Sequence, residues 1–307
     1  MHWPATTGTR ASPPYAILFL PCLHTRIMDC EVIVSTYNNL DALDRVLLAI
    51  QHQDRSDFGI CVADDGSGPA TTDLADAWRE RLAAGRLRHV WQPDDGFQKN
   101  RILNRAIASS HADYFIFIDG DCVARADFVG SHLRRRQRRA YLSGGMVRLS
   151  HAASAALDGA CIADGSAFTA AWLRNQCGGL GLSLRLKGAL LPRRLAEFLE
   201  FLTPVRRTWN GANSSGWRSD IVAVNGFDER LRYGAEDVEM GVRLVNSGVR
   251  ALQLRYSAAL LHLDHSRPYA DGAAIASNHA YVATVRQRGL RWTEHGIHPG
   301  AQDASRA

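Results

Sequence analysis

The stretch YFIFIDGD, residues 114–121, decides the fold. Five apolar residues followed by Asp-Gly-Asp are typical of a parallel β-strand that is buried on both faces and ends in acids. The stretch CVADDGS, residues 61–67, repeats this arrangement one strand earlier. Ligands of open α/β sheets bind outside the carboxyl ends of the strands, so these acids predict a site there. Neighbouring carboxylates repel one another, and a divalent metal carrying a phosphorylated ligand would relieve that repulsion.

Strand and helix patterns alternate along the first half of the chain. Apolar strand patterns are separated by polar turns and by apolar residues at helical spacing, and they occur at residues 30–36, 58–63, 87–91 and 114–118. This alternation predicts right-handed βαβ units. The expected fold class is therefore α/β, with a Rossmann-like, mostly parallel sheet flanked by helices.

Changes in composition divide the chain into five expected parts. Residues 28–150 form the first half of the fold and 206–270 the second, with a basic, partly helical insertion at 151–205. The stretches 1–27 and 271–307 are expected to be a disordered extension and a weakly structured C-terminal segment. Met28 is the expected true start, because the first strand begins directly after it.

The amino-acid composition limits the classes of protein to which the chain can belong. The 307 residues are 46% hydrophobic and 22% charged, as in an ordinary soluble globular protein, and the net charge of +5 is too mild to indicate a nucleic-acid partner. Five arginines fall within residues 134–139, which indicates either a solvated helix end or contact with an anionic surface such as phospholipid.

Cysteine usage and hydropathy bear on the compartment. The six cysteines contain no Cys-x-x-Cys pair, so we expect reduced thiols and neither a disulfide framework nor a zinc site. No segment approaches the roughly 20 apolar residues that span a bilayer. We therefore expect a cytoplasmic protein, and the arginine run leaves open a peripheral position on the inner face of the membrane.

The strand-end acids suggest two kinds of binding. Asp119 and Asp121 flank a glycine that permits close approach of a ligand, and such oxygen ligands suit Mg²⁺ or Mn²⁺ held together with phosphates. Asp65 can accept hydrogen bonds from a nucleobase or from ribose hydroxyls. A helix cap formed by Asp65 or Ser67 is the alternative.

Two further pairs carry chemistry. Glu236 and Asp237 open a helix, where they either cap it or supply a general base for an attacking hydroxyl. His262 and His265 are spaced three residues apart, and either one could close a metal site begun by Asp121. His262 could instead be a core histidine at a strand end.

These motifs resemble, in chain order, the family 2 glycosyltransferases of the GT-A fold. The matching stretches are STYN at 35–38, DDGS at 64–67, DGD at 119–121 and ED at 236–237. A C-terminal segment also resembles β-1,4-galactosyltransferases and bacterial chondroitin-type polymerases, through NGFDE at 225–229, GAEDVEM at 234–240, RL at 243–244 and HSR at 265–267. Together the resemblance covers about residues 29–150 and 208–268, and 151–205 has no counterpart.

The resemblance implies a role for each matching residue. It assigns nucleotide-sugar binding to Thr36, Tyr37, Asp65, Lys99, Asp119 and Asn213. Within that set, Asp65 binds uracil or ribose, Lys99 lies near the diphosphate, and Asp119 touches the ribose or sugar. Asp121 binds Mn²⁺ or Mg²⁺, and His265, with His262 as the alternative, completes the metal site.

The expected activity follows from that resemblance. It implies an inverting hexosyltransferase that moves a sugar from a UDP-sugar to a glycan or glycolipid acceptor of the polysaccharide or lipopolysaccharide type. Asp237 would be the general base and Glu236 would hold acceptor or donor hydroxyls. Trp209, Trp217 and Tyr233 offer faces for sugar rings, with ordinary packing as the alternative. A nucleotidyltransferase and an inactive nucleotide-sugar or carbohydrate-binding protein are the rival functions.

Overall fold

The computed structural model describes residues 2, 28–177, 181, 186–203, 205, 208–266 and 271–298. The first half alternates strands and helices as the sequence predicts. Its elements are β1 (Cys30–Thr36), α1 (Leu40–Gln51), β2 (Gly59–Asp64), α2 (Pro69–Arg81), β3 (Leu87–Trp91), α3 (Lys99–Ala108), β4 (Tyr114–Asp119), β5 (Cys122–Ala124), α4 (Phe128–Arg135), β6 (Ala140–Gly144) and β7 (Met146–Arg148).

The second half is richer in helices. Its elements are α5 (His151–Ala155), α6 (Gly159–Ala163), a 3₁₀ turn (Ser166–Phe168), α7 (Ala170–Gln176), α8 (Arg193–Leu202), β8 (Asn213–Trp217), α9 (Arg218–Ala223), α10 (Glu236–Asn246), β9 (Arg250–Leu254), β10 (Leu260–His262) and α11 (Gly272–Gln287). None of the helices in the described ranges combines the length and the apolar character that a membrane span requires.

Seven strands form the central sheet, in the order β3-β2-β1-β4-β8-β6-β9. Neighbouring strands run parallel except β8, which is antiparallel to both β4 and β6. The strands β5, β10 and β7 form a second, three-stranded sheet. The predicted α/β class with a mostly parallel sheet is therefore confirmed.

The middle of β1 shows why the apolar runs form buried strands. Val32, Ile33 and Val34 are all fully buried. Successive side chains of a strand point to opposite faces, so Val32 and Val34 pack in one core with α1, while Ile33 packs in the other core with α3. A strand covered on both faces has no solvent-exposed position, which explains its continuous apolar sequence.

Three local features differ from what the sequence patterns indicate. The stretch 141–149 contributes to two strands in different sheets, because Gly145 interrupts it where Arg255 O and Lys187 approach too closely for a side chain. The strand β8 was not predicted, since its sequence NSSGW lacks a run of apolar residues. The C-terminal segment contains the 16-residue helix α11, which buries few of its side chains and so shows little apolar periodicity.

Other expectations fall partly outside the described residues. The insertion is helical where it is described, in agreement with its predicted character. Residues 3–27, Gly178, Gly179, and the arginines 185, 206, 207 and 267 lie outside the described residues. Five of the six cysteines are described, and all five are free thiols.

A buried ion pair lies within α10, and its arginine also binds the turn at Asn225-Gly226. Arg243 donates to both carboxylate oxygens of Glu239, with Nε–Oε1 and Nη2–Oε2 distances of 2.7 and 2.6 Å, and both side chains are almost fully buried. The same guanidinium donates to the carbonyl oxygens of Val224 and Gly226. These hydrogen bonds of the Arg243 side chain are all made within the protein, and they hold the turn at Asn225-Gly226 against the helix.

Replacing Arg243 by methionine should lower the free energy of unfolding by about 3–5 kcal/mol, because Glu239 is then buried without its partner. Adding Glu239→Leu should recover a large part of the loss, since no uncompensated charge remains. The exposed pair of Asp76 and Arg79 provides the control, and Arg79→Met should cost less than about 1 kcal/mol. Urea denaturation measures all three, and equal losses in the two single variants would contradict the assignment.

Candidate active site

A cleft of about 750 Å³ lies at the carboxyl ends of the parallel strands. The pairing of β1 with β4 places Ser35 opposite Asp119, so the residues that follow both strands meet at one edge of the sheet. The structure brings eleven of the predicted site residues to this cleft: Thr36, Tyr37, Asp65, Lys99, Asp119, Asp121, Tyr233, Glu236, Asp237, His262 and His265.

Asp65 lies at one end of the cleft and is held by two donors. Its carboxylate accepts hydrogen bonds from Gln92 Nε2 at 2.6 Å and from the backbone N–H of Gln98 at 2.8 Å. Burial raises the pKa of Asp65 to about 6, against the effect of these two bonds. A carboxylate has about four acceptor positions, so Asp65 can accept further bonds from a ligand.

Asp119 forms a compact polar group with Lys99 and Ser35. Its Oδ1 accepts hydrogen bonds from Lys99 Nζ and from Ser35 Oγ, the latter at 2.8 Å. Burial opposes protonation of Lys99, but Asp119, Glu236 and Asp237 raise its pKa above the ordinary value. The ammonium group is therefore charged at every physiological pH, near three acids of the cleft.

Gly120 is required by the close approach of β1 to this group. A Cβ atom at Gly120 would lie 2.9 Å from the carbonyl oxygen of Ser35 and 3.1 Å from the side chain of Thr36. The backbone N–H of Gly120 donates to that same carbonyl at 2.7 Å. The glycine between the two acids therefore lets the turn after β4 pack directly on the end of β1.

Asp121 meets the two histidines. His265 Nε2 lies 2.8 Å from Asp121 Oδ2, and His262 Nε2 lies 3.8 Å from the same oxygen. The two imidazole rings stack with a centroid distance of 5.4 Å. Burial opposes ionisation of Asp121, but the hydrogen bond with His265 and the charges of both histidines lower its pKa to about 2.

These groups fit a divalent cation. The ligand atoms of Asp121, Cys122 and His262 lie within 4.8 Å of one another. The ladder between β10 and β5 pairs His262 with Cys122, so sheet register determines this convergence. One carboxylate with imidazole nitrogens is a donor set that suits Mn²⁺ better than Mg²⁺, which prefers oxygen alone.

The opposite wall of the cleft holds the acids at the start of α10. Asp237 Oδ2 accepts from the backbone N–H of Gly211 at 2.5 Å, and its Oδ1 accepts from the N–H of Val238 at 2.8 Å. Glu236 accepts from the N–H of Gly234 at 2.7 Å. Burial raises the pKa of both acids, that of Glu236 to about 7. They satisfy the helix end and also present basic oxygens to the cleft.

Three sequence-predicted residues lie elsewhere. Asn213 is fully buried, donating to the carbonyls of Gly145 and Ala258 at 2.8 and 2.6 Å, so it holds three segments together and does not line the cleft. Trp209 and Trp217 were predicted to contact the acceptor. None of these three residues lines the cleft, and their predicted roles in binding stay predictions.

The packing of the two tryptophans is specific. Trp209 is 1% exposed and makes edge-to-face contacts with Phe117 and Phe227, at centroid distances of 5.5 and 6.3 Å. Trp217 pairs with the first residue of β4, at the end of the strand remote from the cleft, and Arg138 stacks on it at 3.7 Å. Both tryptophans therefore pack against neighbouring side chains, as the alternative interpretation expects, and their contact with an acceptor stays a prediction.

Several cleft residues were not predicted. Phe97 packs edge-to-face on Tyr233 at a centroid distance of 5.7 Å. Arg148 ends β7 beside His262 in the sheet register and brings another cation to the cleft. Asn210 lines the wall next to Asp237. Arg148 directly follows the apolar pair Met146-Val147, which was a usable signal, whereas Phe97 and Asn210 lie in loops without one.

Comparison with known proteins gives a consistent family. Residues 31–150 match the sequence profile described as Glycosyl transferase family 2. An uncharacterized glycosyltransferase, YfnE, of Bacillus subtilis (strain 168) is 25% identical over 294 residues, which cover 83% of this chain and 70% of that protein. Validoxylamine A glucosyltransferase of Streptomyces hygroscopicus subsp. jinggangensis (strain 5008) is 34% identical over 105 residues, 34% of this chain and 24% of that protein.

Solved structures share the fold. Mannosyltransferase PcManGT from Pyrobaculum calidifontis, in complex with GDP-Man and Mn²⁺, matches with a TM-score of 0.54 and 16% identity over 87% of this chain and 73% of that one. S. aureus TarS 1–349, in complex with UDP-GlcNAc, matches with a TM-score of 0.57 and 14% identity over 91% and 69%. The family match ends at residue 150, so the resemblance of the C-terminal segment to galactosyltransferases stays a prediction.

Proposed function

The chain is a family 2 glycosyltransferase of the GT-A fold, and we propose that it transfers a hexose from a UDP-sugar to a hydroxyl of a glycan or glycolipid, with inversion. One observation carries the proposal. The cation-binding group around Asp121 and the basic acid Asp237 line the same cleft, so a leaving phosphate and an attacking hydroxyl can be held on either side of one sugar. A nucleotide-sugar donor is further supported by neighbours in complex with UDP-GlcNAc and GDP-Man.

The donor would occupy the strand-end side of the cleft. Thr36 and Tyr37 line the nucleoside pocket, and Asp65 accepts from the uracil imide or the ribose. Lys99 places a fixed positive charge near the diphosphate, while Asp119 orients that ammonium and contacts the ribose or sugar. Asp121, His265 and His262 would hold Mn²⁺ or Mg²⁺. When bound, this cation neutralises charge on the departing diphosphate.

The acceptor would approach from the side of α10. Its hydroxyl oxygen forms the new bond to the anomeric carbon as the bond from that carbon to the diphosphate oxygen breaks, and the hydroxyl proton passes to Asp237. Burial makes Asp237 more basic than a solvated carboxylate, which favours this transfer. Glu236 holds acceptor or donor hydroxyls, and Tyr233 with Phe97 offers an aromatic wall for a sugar ring.

We expect Asp121→Asn to lose most of the Mn²⁺-dependent gain in UDP affinity, because the anionic ligand is removed at little cost to the core. Calorimetric titration of UDP with Mn²⁺ and with EDTA measures this. The exposed acid Asp73 on α2 provides the control, and Asp73→Asn should bind as the unsubstituted chain does. A full Mn²⁺ effect in Asp121→Asn would place the cation elsewhere.

Asp237→Asn should reduce transfer by about 10²–10⁴-fold while UDP affinity is retained, because the amide keeps an acceptor oxygen for Gly211 N–H but has no basicity. In the unsubstituted chain, transfer should fall as the pH drops through about 7, since Glu236 then becomes protonated. Labelled UDP-sugar turnover across pH measures both effects. If UDP affinity falls as much as the rate, Asp237 is structural.

The compartment and the membrane contact are also proposals. We place the chain in the cytoplasm because its described cysteines are free thiols, which a reducing compartment preserves. The arginines at 134–139 are engaged within the protein and are not its best membrane contact. Their partners are Asp54, Glu200, Trp217 and Ser247.

Helix α8 is the better candidate for contact with an anionic membrane. Its Glu200 accepts from the backbone N–H groups of Tyr256 and Ser257, which fixes the polar face inward. The opposite face leaves Phe198 56% and Phe201 86% exposed, together with Leu195 and Leu202. Arg193 and Arg194 begin the helix, so apolar and cationic groups lie together, as in helices that bind anionic lipid surfaces.

The double variant Phe198→Ser, Phe201→Ser should lower partition onto phosphatidylglycerol-containing vesicles by at least about tenfold, because two aromatic side chains lose their apolar environment. Co-sedimentation at two salt concentrations measures the partition, and high salt should weaken it. Arg138→Gln is the control and should bind normally, since that side chain stacks on Trp217. Equal binding to neutral phosphatidylcholine vesicles would refute the proposal.

A further inference from the structure

A second cavity of about 350 Å³ adjoins the cleft on the acceptor side, and we call it the side cavity. It is lined by residues 143–146 together with Lys187, Val205, Thr208, Trp209, Asn210, Asp237, Val238, Gln253 and Arg255. Three of these, Met146, Asn210 and Asp237, also line the cleft. The side cavity therefore opens next to the carboxylate that the proposed function assigns as general base, and Lys99 and Asp121 are not among its lining residues.

Two cations line the side cavity without acids to balance them. Within the described part of the chain, no ion pair joins Lys187 or Arg255 to a carboxylate. The Nε atom of Arg255 is buried and has no hydrogen-bond partner there. Asp237 is the acid among the lining residues, and among the described residues its carboxylate accepts from the backbone N–H groups of Gly211 and Val238 and forms no ion pair with Lys187 or Arg255. A buried guanidinium N–H without an acceptor is costly, so an absent acceptor is indicated.

The electrostatic environment of Lys187 also indicates that an anion is missing from the side cavity. Burial, followed by the charges of Arg255 and Arg148, lowers the pKa of its ammonium group to about 8. The nearby cations thus repel one another inside a partly enclosed space. An anion bound between Lys187 and Arg255 would relieve this repulsion and supply the acceptor that Arg255 Nε lacks.

We propose that the side cavity binds an anionic group, a phosphate or a carboxylate, carried by the acceptor close to the hydroxyl that reacts. This inference rests on the proposed function only where it assigns the bound anion to the acceptor. The pair of cations, Lys187 and Arg255, is observed in the structure and does not depend on that function. The donor phosphates are assigned to Lys99 and the Asp121 group, which lie in the cleft proper. The side cavity therefore makes acidic acceptors, such as a phosphorylated or uronic-acid sugar or a phosphate-linked lipid headgroup, the preferred class.

The sequence offers a direct probe, because Lys99 and Lys187 are its two lysines. Lys99 is kept protonated by its acidic neighbours, whereas burial and nearby cations lower the pKa of Lys187 to about 8, which makes it the more nucleophilic amine. An amine-reactive acylating reagent should therefore label Lys187 first. Inorganic phosphate should slow that labelling by about tenfold or more at saturation, since a bound anion raises the pKa of the amine. Peptide mass spectrometry measures both sites, with chloride at equal ionic strength as the control.

Variants separate a specific site from general charge screening. Arg255→Gln should abolish the protection of Lys187 by phosphate, and Arg255→Lys should retain part of it. Arg174→Gln removes an exposed arginine of α7 that does not line the side cavity, and protection should be unchanged. Circular dichroism confirms that each variant is folded. Equal slowing by chloride and phosphate, or full protection in Arg255→Gln, would overturn the inference.

A set of ligands distinguishes the possible sources of the anion. The same experiments separate a failure of this inference from a failure of the proposed donor site. Glucose 6-phosphate, glucuronate and glycerol 3-phosphate represent a phosphosugar, a uronic acid and a lipid headgroup, and at least one should protect Lys187 more strongly than inorganic phosphate. Glucose is the neutral control and should not protect. UDP with Mn²⁺ should bind equally well to Arg255→Gln. Failure of UDP to bind the unsubstituted chain would refute the proposed donor, whereas failure of every anion to protect Lys187 would refute the side cavity as an anion site.

Discussion

The parallel pairing of β1 with β4 is the constraint on which the site depends. Because the two strands run in the same direction, with Ser35 opposite Asp119, the acids at the end of β4 lie beside the end of β1. The strand β2 is also parallel to β1 and brings Asp65 to the same edge of the sheet. Carboxylates this close together repel one another, so the folded site requires positive charge to compensate them. Lys99, at the start of α3, provides part of it, and a divalent cation at Asp121 would provide more. The register of β1 against β4 therefore determines both where the acids lie and which ligands they can bind.

Burial opposes ionisation of the acids on both walls of the cleft, but the resulting pKa values differ between the walls. On the wall of α10 it raises the pKa of Glu236 and Asp237, which makes them better bases. On the strand-end wall the histidines overcome burial and keep Asp121 ionised, as a cation ligand must be. The same desolvation therefore produces a proton acceptor on one side and a permanent anion on the other. Neighbouring charges decide which outcome each acid has.

Residues from the second half of the chain complete the site, although they are far in sequence from the strand-end acids. Asp237 reaches the cleft because α10 is anchored by the buried pair of Glu239 and Arg243, and because its carboxylate binds the loop at Gly211. That loop is followed by Asn213, whose amide ties β8 to two neighbouring segments. The side cavity lies behind the same loop. The side cavity is lined by residues 143–146, which lie within the family match, and by residues beyond its limit at residue 150.

The sequence by itself determined the α/β fold class, the strand-end acids and the acids of α10, because buried strands and helix starts leave local patterns that need no partner to be recognised. The roles of Trp209, Trp217 and Asn213 were decided by tertiary structure alone. An aromatic or amide side chain has the same sequence signature whether it meets a sugar or a neighbouring strand. The convergence of His262 with Cys122, and of Lys187 with Arg255, joins residues far apart in the chain. Such convergence depends on sheet register and loop packing, which no local pattern encodes.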